Sequence, residues 1–82
     1  MARILITGAN RGLGLEFVEH YLERGDSVIA TYRDENSSMD LIKMGNERSN
    51  LKLLQLDVSS NKSLNSFAEN LGDSPIDIFI NN

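Results

Sequence analysis

Apolar residues along this chain alternate between two rhythms. Short runs stand at Ile4-Leu5-Ile6, at Val28-Ile29-Ala30, from Leu51 to Leu56 and from Ile76 to Ile80. Runs of this length predict strands covered on both faces. Between them apolar residues recur three and four apart: Leu13, Phe17, Val18, Tyr21 and Leu22; then Met39, Leu41, Ile42 and Met44; then Leu64, Phe67, Ala68 and Leu71. That spacing gathers them on one side of a helix. The predicted elements are a strand from residue 3, a helix over 13–24 stopped by Gly25, a strand over 27–32 and a short helix from 39 ending near Gly45. A strand over 51–56, a helix capped by Ser59 or Ser60 and stopped by Gly72, and a strand over 76–80 complete the set. The stripe of the last helix is read as core packing rather than a recognition surface.

Strand and helix alternate as βαβαβαβ, which implies a parallel sheet built by right-handed crossovers. The prediction is one partial α/β domain over residues 1–82, of Rossmann type with three α/β/α layers and strand order 3-2-1-4. In such sheets ligands bind beyond the carboxyl ends of strands where the order reverses, here between the first and fourth strands.

The first strand runs into three glycines, Gly8, Gly12 and Gly14, before the helical period begins at Leu13. Glycine lets the chain turn sharply and lets another molecule lie against the backbone. A helix starting at such a loop points free N–H groups and its positive dipole end at whatever sits there, which suits a phosphate. The plainer alternative is a structural turn. The spacing is Gly-x-x-x-Gly-x-Gly, which departs from the Gly-x-Gly-x-x-Gly dinucleotide fingerprint, and no Gly-Lys-Ser/Thr follows as in a nucleoside-triphosphate loop.

Thr7-Gly8-Ala9-Asn10-Arg11-Gly12-Leu13-Gly14 resembles the cofactor loop of the short-chain dehydrogenase/reductase family. The resemblance implies cofactor contacts at Gly8, Asn10, Arg11, Gly12, Leu13 and Gly14. At the end of the second strand stands Arg33. In dinucleotide folds a carboxylate there bonds the free 2′-hydroxyl of NAD, whereas an arginine accommodates the 2′-phosphate of NADP. Arg33 and Arg11 occupy positions that are basic in NADP-using members, so NADP(H) is expected over NAD(H). Solvated surface arginines are the alternative. Asp34 either repels that phosphate or orients Arg33.

Asp57-Val58 closes the third strand. The resemblance implies that Asp57 bonds the adenine amino group with Val58 beside it; the alternative is an aspartate that starts the next helix. Asn81-Asn82 matches the first half of the family's Asn-Asn-Ala-Gly, residues that line the cofactor crevice and steady the central sheet. His20 has no partner motif and reads as solvated or capping. Residues 34–50 carry no recognisable chemistry.

Composition removes several classes. A net charge of −4 argues against a nucleic-acid surface, and no cysteine is present for disulfides, thiolate zinc sites or thiol nucleophiles. No metal site is expected. A first strand at residue 3 leaves no room for a signal peptide, and no apolar run approaches membrane-helix length. A cytoplasmic protein without membrane contact is the expectation.

The resemblance covers the whole chain, but the chain covers only the first part of the family's domain. The family's catalysis uses a Ser and a Tyr-x-x-x-Lys. Here Tyr21 is followed four residues on by Gly25, and Tyr32 by Asn36. No catalytic residue is assigned. The resemblance implies the cofactor-binding half of an NADP(H)-dependent oxidoreductase acting on a small carbonyl or alcohol substrate, with a homo-oligomeric parent. The isolated chain is expected to be inactive, and of low stability or self-associating. An NADP(H)-binding sensor or scaffold without turnover and a non-functional truncated product are the competing readings.

Overall fold

The start of the strand over Ser27–Tyr32 lies between the starts of two other strands, and one buried carboxylate joins them. Asp26 is 5% exposed. Its Oδ1 accepts from the Ala2 N–H at 3.0 Å, its backbone carbonyl accepts from Asn50 Nδ2 at 2.8 Å, and the Ser27 N–H donates to the Ala2 carbonyl. Its Oδ2 has no hydrogen-bond partner and lies 3.3 Å from Arg24 Nε.

From that seam the sheet extends. The computed structural model describes residues 2–10, 12–73 and 75–82. Among them the elements are β1 (Arg3–Thr7), α1 (Gly12–Glu23), β2 (Ser27–Tyr32), a 3-10 turn (Glu35–Ser37), α2 (Met39–Glu47), β3 (Leu51–Gln55), α3 (Asn61–Leu71) and β4 (Ile78–Asn81). The strands form one parallel sheet in the order β3-β2-β1-β4, as the alternating periods predict.

Neighbouring residues of a strand point to opposite faces, and β3 shows which helix each face carries. Leu53 meets Gly45 of α2, while Lys52 Nζ donates to the Asn70 carbonyl of α3 at 2.9 Å. The helices therefore lie on both sides, giving three layers. The α1/α2 face holds the main core: Ile4, Ile6, Val28 and Ala30 are fully buried with Val18, Leu22 and Leu41. Each large aliphatic side chain buried this way contributes about 1.5–3 kcal/mol.

The opposite face is thinner. Leu5 and Ile29 are buried there, in register with Lys52 on one side and Phe79 on the other. Phe79 is 59% exposed. The α3 stripe expected to face the core is only half covered: Phe67 and Leu71 are partly buried, Leu64 and Ala68 exposed. The cause is position, since α3 lies against the edge strand β3.

Boundaries differ from the expectation at three places, each for a local reason. The α2 helix runs through Gly45 to Glu47 instead of stopping near that glycine. A Cβ there would lie 2.6 Å from Leu53 Cδ1, so Gly45 is a packing notch and not a stop. Leu56 falls outside β3, although its N–H still donates to the Tyr32 carbonyl. The β4 strand begins at Ile78, two residues late, because Asp77 brackets Arg3 with its side chain and its N–H. Gly25 does end α1: at φ +86° it lets Gly25 and Asp26 donate back to the Leu22 and Tyr21 carbonyls.

Asp26→Ala removes the acceptor of the Ala2 N–H and the anion beside Arg24. It is expected to cost about 1–3 kcal/mol in urea unfolding, whereas Glu23→Ala on the exposed side of α1 stays within about 0.5 kcal/mol.

Candidate functional site

All four strands deliver residues to one end of the sheet. After β1 the chain crosses the end of β2, where the Ala9 N–H donates to the Thr31 carbonyl at 3.0 Å. Asn10 Nδ2 then reaches the Ser37 carbonyl at 3.3 Å, joining the glycine loop to the turn after β2. The loop is braced from the other side by β4. Thr7 Oγ1 donates to Asn81 Oδ1 at 2.7 Å, and Asn82 Nδ2 donates to the Gly8 carbonyl at 3.0 Å.

The three glycines divide their work. Gly8 turns at φ +59°, with the Asn82 carbonyl 3.0 Å from where a Cβ would stand. A Cβ on Gly14 would stand 2.5 Å from the Gly8 carbonyl oxygen and 2.7 Å from Asn82 Nδ2. These two let the first turn of α1 settle against the end of β1. Gly12, also at φ +59°, faces open space, with nothing within 4 Å of its Cβ position. The first turn of α1 holds no acidic side chain. Its amide groups have no intrahelical acceptor and carry the positive end of the dipole. An open backbone, free N–H groups and no competing carboxylate fit a diphosphate.

Beside the loop lies a cleft of about 560 Å³ lined by Asn10, Arg33, Asp34, Ser37 and Asp57. A second, of about 330 Å³, runs past Thr7, Gly8 and Thr31 to Val58, Asn81 and Asn82, and shares Arg33 and Asp57 with the first. The structure thus gathers Gly8, Asn10, Arg33, Asp57, Val58, Asn81 and Asn82 around one opening, made of two clefts that share Arg33 and Asp57. Leu13 is 64% exposed on the first turn of α1. Arg11 lies outside the described residues.

The charges at the opening are ordered by short turns. Asp34 does not orient Arg33: its Oδ1 accepts from the Asn36 N–H, and its carbonyl accepts from the Ser37 and Ser38 hydroxyls. The partner of Arg33 is Asp57, with Nε 3.8 Å from Oδ2. The other oxygen of Asp57 accepts from the Ser59 hydroxyl at 2.6 Å and the Ser59 N–H at 3.0 Å. Those bonds, hydroxyl first, hold the Asp57 carboxyl below its ordinary value; partial burial opposes them and the Arg33 charge adds to them. Ser60, not Ser59, caps α3 through the Ser63 N–H.

Ser37 was not singled out from sequence, and Ser59 only as one of two candidate caps for the last helix. Asp57-Val58-Ser59 does carry the signature of an aspartate turn. The Asn10–Ser37 contact spans 27 positions and has no local signal. No helix among the described residues is long and apolar enough to cross a membrane.

Comparison with known proteins places this geometry in context. Residues 2–82 match the family model described as short chain dehydrogenase. The chain is 37% identical over 84 residues to short-chain dehydrogenase/reductase 1 of Saponaria officinalis, covering 95% of this chain and 28% of that protein. It is 38% identical over 85 residues to (+)-neomenthol dehydrogenase of Arabidopsis thaliana, covering 95% and 29% respectively. Among solved structures it is similar to a carbonyl reductase from Pseudomonas aeruginosa PAO1 in complex with NADP, with a TM-score of 0.86 and 30% identity over 99% of this chain and 37% of that one. The chain therefore spans less than a third of the curated relatives named here.

Two measurements check the site's construction. Gly14→Ala forces a methyl group into backbone and is expected to destabilise by about 1–3 kcal/mol. Gly12→Ala meets only the left-handed φ and costs about 1–2 kcal/mol, so the thermal melt of Gly14→Ala falls further. The second is an acid titration. A carboxyl held low when folded stabilises the fold above its ordinary value of 3.8 and loses that contribution as pH drops through its lower folded value. The stability margin of the wild type over Ser59→Ala should be constant above that range and close below it.

Proposed function

This chain belongs to the short-chain dehydrogenase family, and from that premise we propose that it is the NADP(H)-binding part of an oxidoreductase that interconverts a small carbonyl compound and its alcohol. The carrying observation is the opening at the strand carboxyl ends, made of two clefts that share Arg33 and Asp57. The glycine loop stands on one side of it and Arg33 between its two clefts. The NADP found with the Pseudomonas aeruginosa relative supports the same reading.

When bound, the nicotinamide cofactor supplies or accepts a hydride. The residues of this chain bind and orient it. In the proposed arrangement the backbone of Gly8, Asn10, Gly12, Leu13 and Gly14 takes the diphosphate at the start of α1. Arg33 takes the 2′-phosphate. Asp57 and Val58 border the adenine, with the backbone of Asn81 and Asn82 along the crevice toward the nicotinamide.

Arg33 suits its part. Its side chain is 77% exposed, and its one ion pair among the described residues is loose, with Nε 3.8 Å from Asp57 Oδ2. A guanidinium binds a phosphate through two parallel charge-assisted bonds. The 82 residues contain no Tyr-x-x-x-Lys. We therefore assign them cofactor binding and not proton transfer.

The test is a fluorescence titration of the chain with NADPH and NADH. NADPH should bind more tightly. Arg33→Ala should weaken NADPH by about 10- to 100-fold, the loss of one or more charge-assisted bonds, and leave NADH nearly unchanged. An equal loss for both removes Arg33 from the 2′-phosphate, and a chain that binds neither removes the proposal.

A further inference from the structure

Arg33 is a long side chain at an exposed strand end, and its partner is better fixed than it is. Asp57 is 35% exposed, and its Oδ1 is tied into a turn by two hydrogen bonds from Ser59. Its own N–H donates to Ser63 Oγ at 2.8 Å, which anchors it to the first turn of α3. That leaves Oδ2 to meet Arg33, and it does so on the Nε flank, at 3.8 Å.

We propose that Asp57, aimed by Ser59, is a positioning residue that holds the Arg33 guanidinium at the junction of the two clefts for a nucleotide 2′-phosphate. The inference rests on the reading that the chain binds NADP(H) with Arg33 on that phosphate. It gives Asp57 a part in choosing between NADP(H) and NAD(H), in addition to any contact with adenine.

The physical argument is one of ordering. A free arginine must give up its rotamers when it closes on a phosphate, and an existing partner removes part of that loss beforehand. The same carboxylate also repels the incoming phosphate. The repulsion is limited by the two Ser59 hydrogen bonds to Oδ1, which disperse part of the carboxylate charge, and by the exposure of the pair to solvent. An exposed pair of this length has a small effect, so the expected selectivity change is about two- to fivefold.

Two probes separate this role from adenine contact. Adenosine 5′-monophosphate carries the adenine and ribose; adenosine 2′,5′-bisphosphate adds only the 2′-phosphate. Calorimetric titration of both into the chain gives an affinity ratio that adenine contact does not move. Asp57→Asn keeps the shape and the Ser59 turn and removes the charge. It should lower the ratio about two- to fivefold. Ser59→Ala should lower it less, and in an Arg33→Ala background Asp57→Asn should leave the ratio as it is. Thermal melts establish that each variant is folded.

The other outcomes each decide something. A ratio unchanged while both affinities fall alike makes Asp57 an adenine ligand only and overturns the inference. A ratio that rises shows that the carboxylate competes with the phosphate, and overturns it too. So does an effect of Asp57→Asn that persists without Arg33. A wild-type chain with no preference for the bisphosphate removes the NADP(H) reading itself, and this inference with it.

Discussion

The carbonyl oxygen of Gly8 is met from two directions. The Asn82 side chain donates to it across 74 positions of sequence, and the Cα of Gly14 packs against it with no room for a methyl group. This contact fixes where α1 begins relative to the end of β1, and the end of β4 is part of it. If any of the three pieces moved, the free amides of the helix would point elsewhere. The helix start serves as an anion site only because a glycine lets it approach and an asparagine holds the turn in place. A dipole is useful only over the first turn, so an ångström-scale placement decides whether it acts on a ligand.

A chain with a net charge of −4 must still present a positive surface to a polyanion. It does so locally. The first turn of α1 carries no carboxylate, and the two aspartates nearest Arg33 are occupied by turns: Asp34 with the Asn36 N–H, Asp57 with Ser59. Surface charges more than about 10 Å apart are screened at ordinary salt. The overall acidity therefore matters less to a bound phosphate than which carboxylates are already engaged at the opening.

The fold and most of the opening were legible in the sequence because both rest on local patterns. Apolar runs of three to six residues gave the strands, and three-and-four spacing gave the helices. Strand order followed from the alternation, which put Gly8, Arg33, Asp57 and Asn81 at one end together. What the sequence concealed depended on partners far along the chain. Gly45 has the composition of a helix stop, but Leu53 from β3 needs its missing Cβ. Asp77 reads as part of a strand until its side chain is seen on the Arg3 N–H. Ser37 sits in a polar stretch without pattern, and only Asn10, 27 positions earlier, gives it a place beside the cleft. Asp34 was read as either repelling the phosphate or orienting Arg33, and its side chain caps the turn that follows it.

The two faces of the sheet carry unequal loads, and the opening straddles the difference. The diphosphate side rests on α1, whose Val18 and Leu22 are buried with Ile4 and Ile6. The Asp57–Ser59 turn rests on α3, which has no fully buried residue and covers an edge strand. Local stability follows buried apolar contact. The glycine loop is thus set in the firm half of the molecule, and the Asp57–Ser59 turn beside Arg33 in the softer half. A diphosphate is common to every nicotinamide dinucleotide and gains from a rigid cradle. The 2′ position is where they differ, and in the proposed arrangement an exposed arginine and a turn of two short side chains meet it, elements that sequence change can alter without disturbing the core.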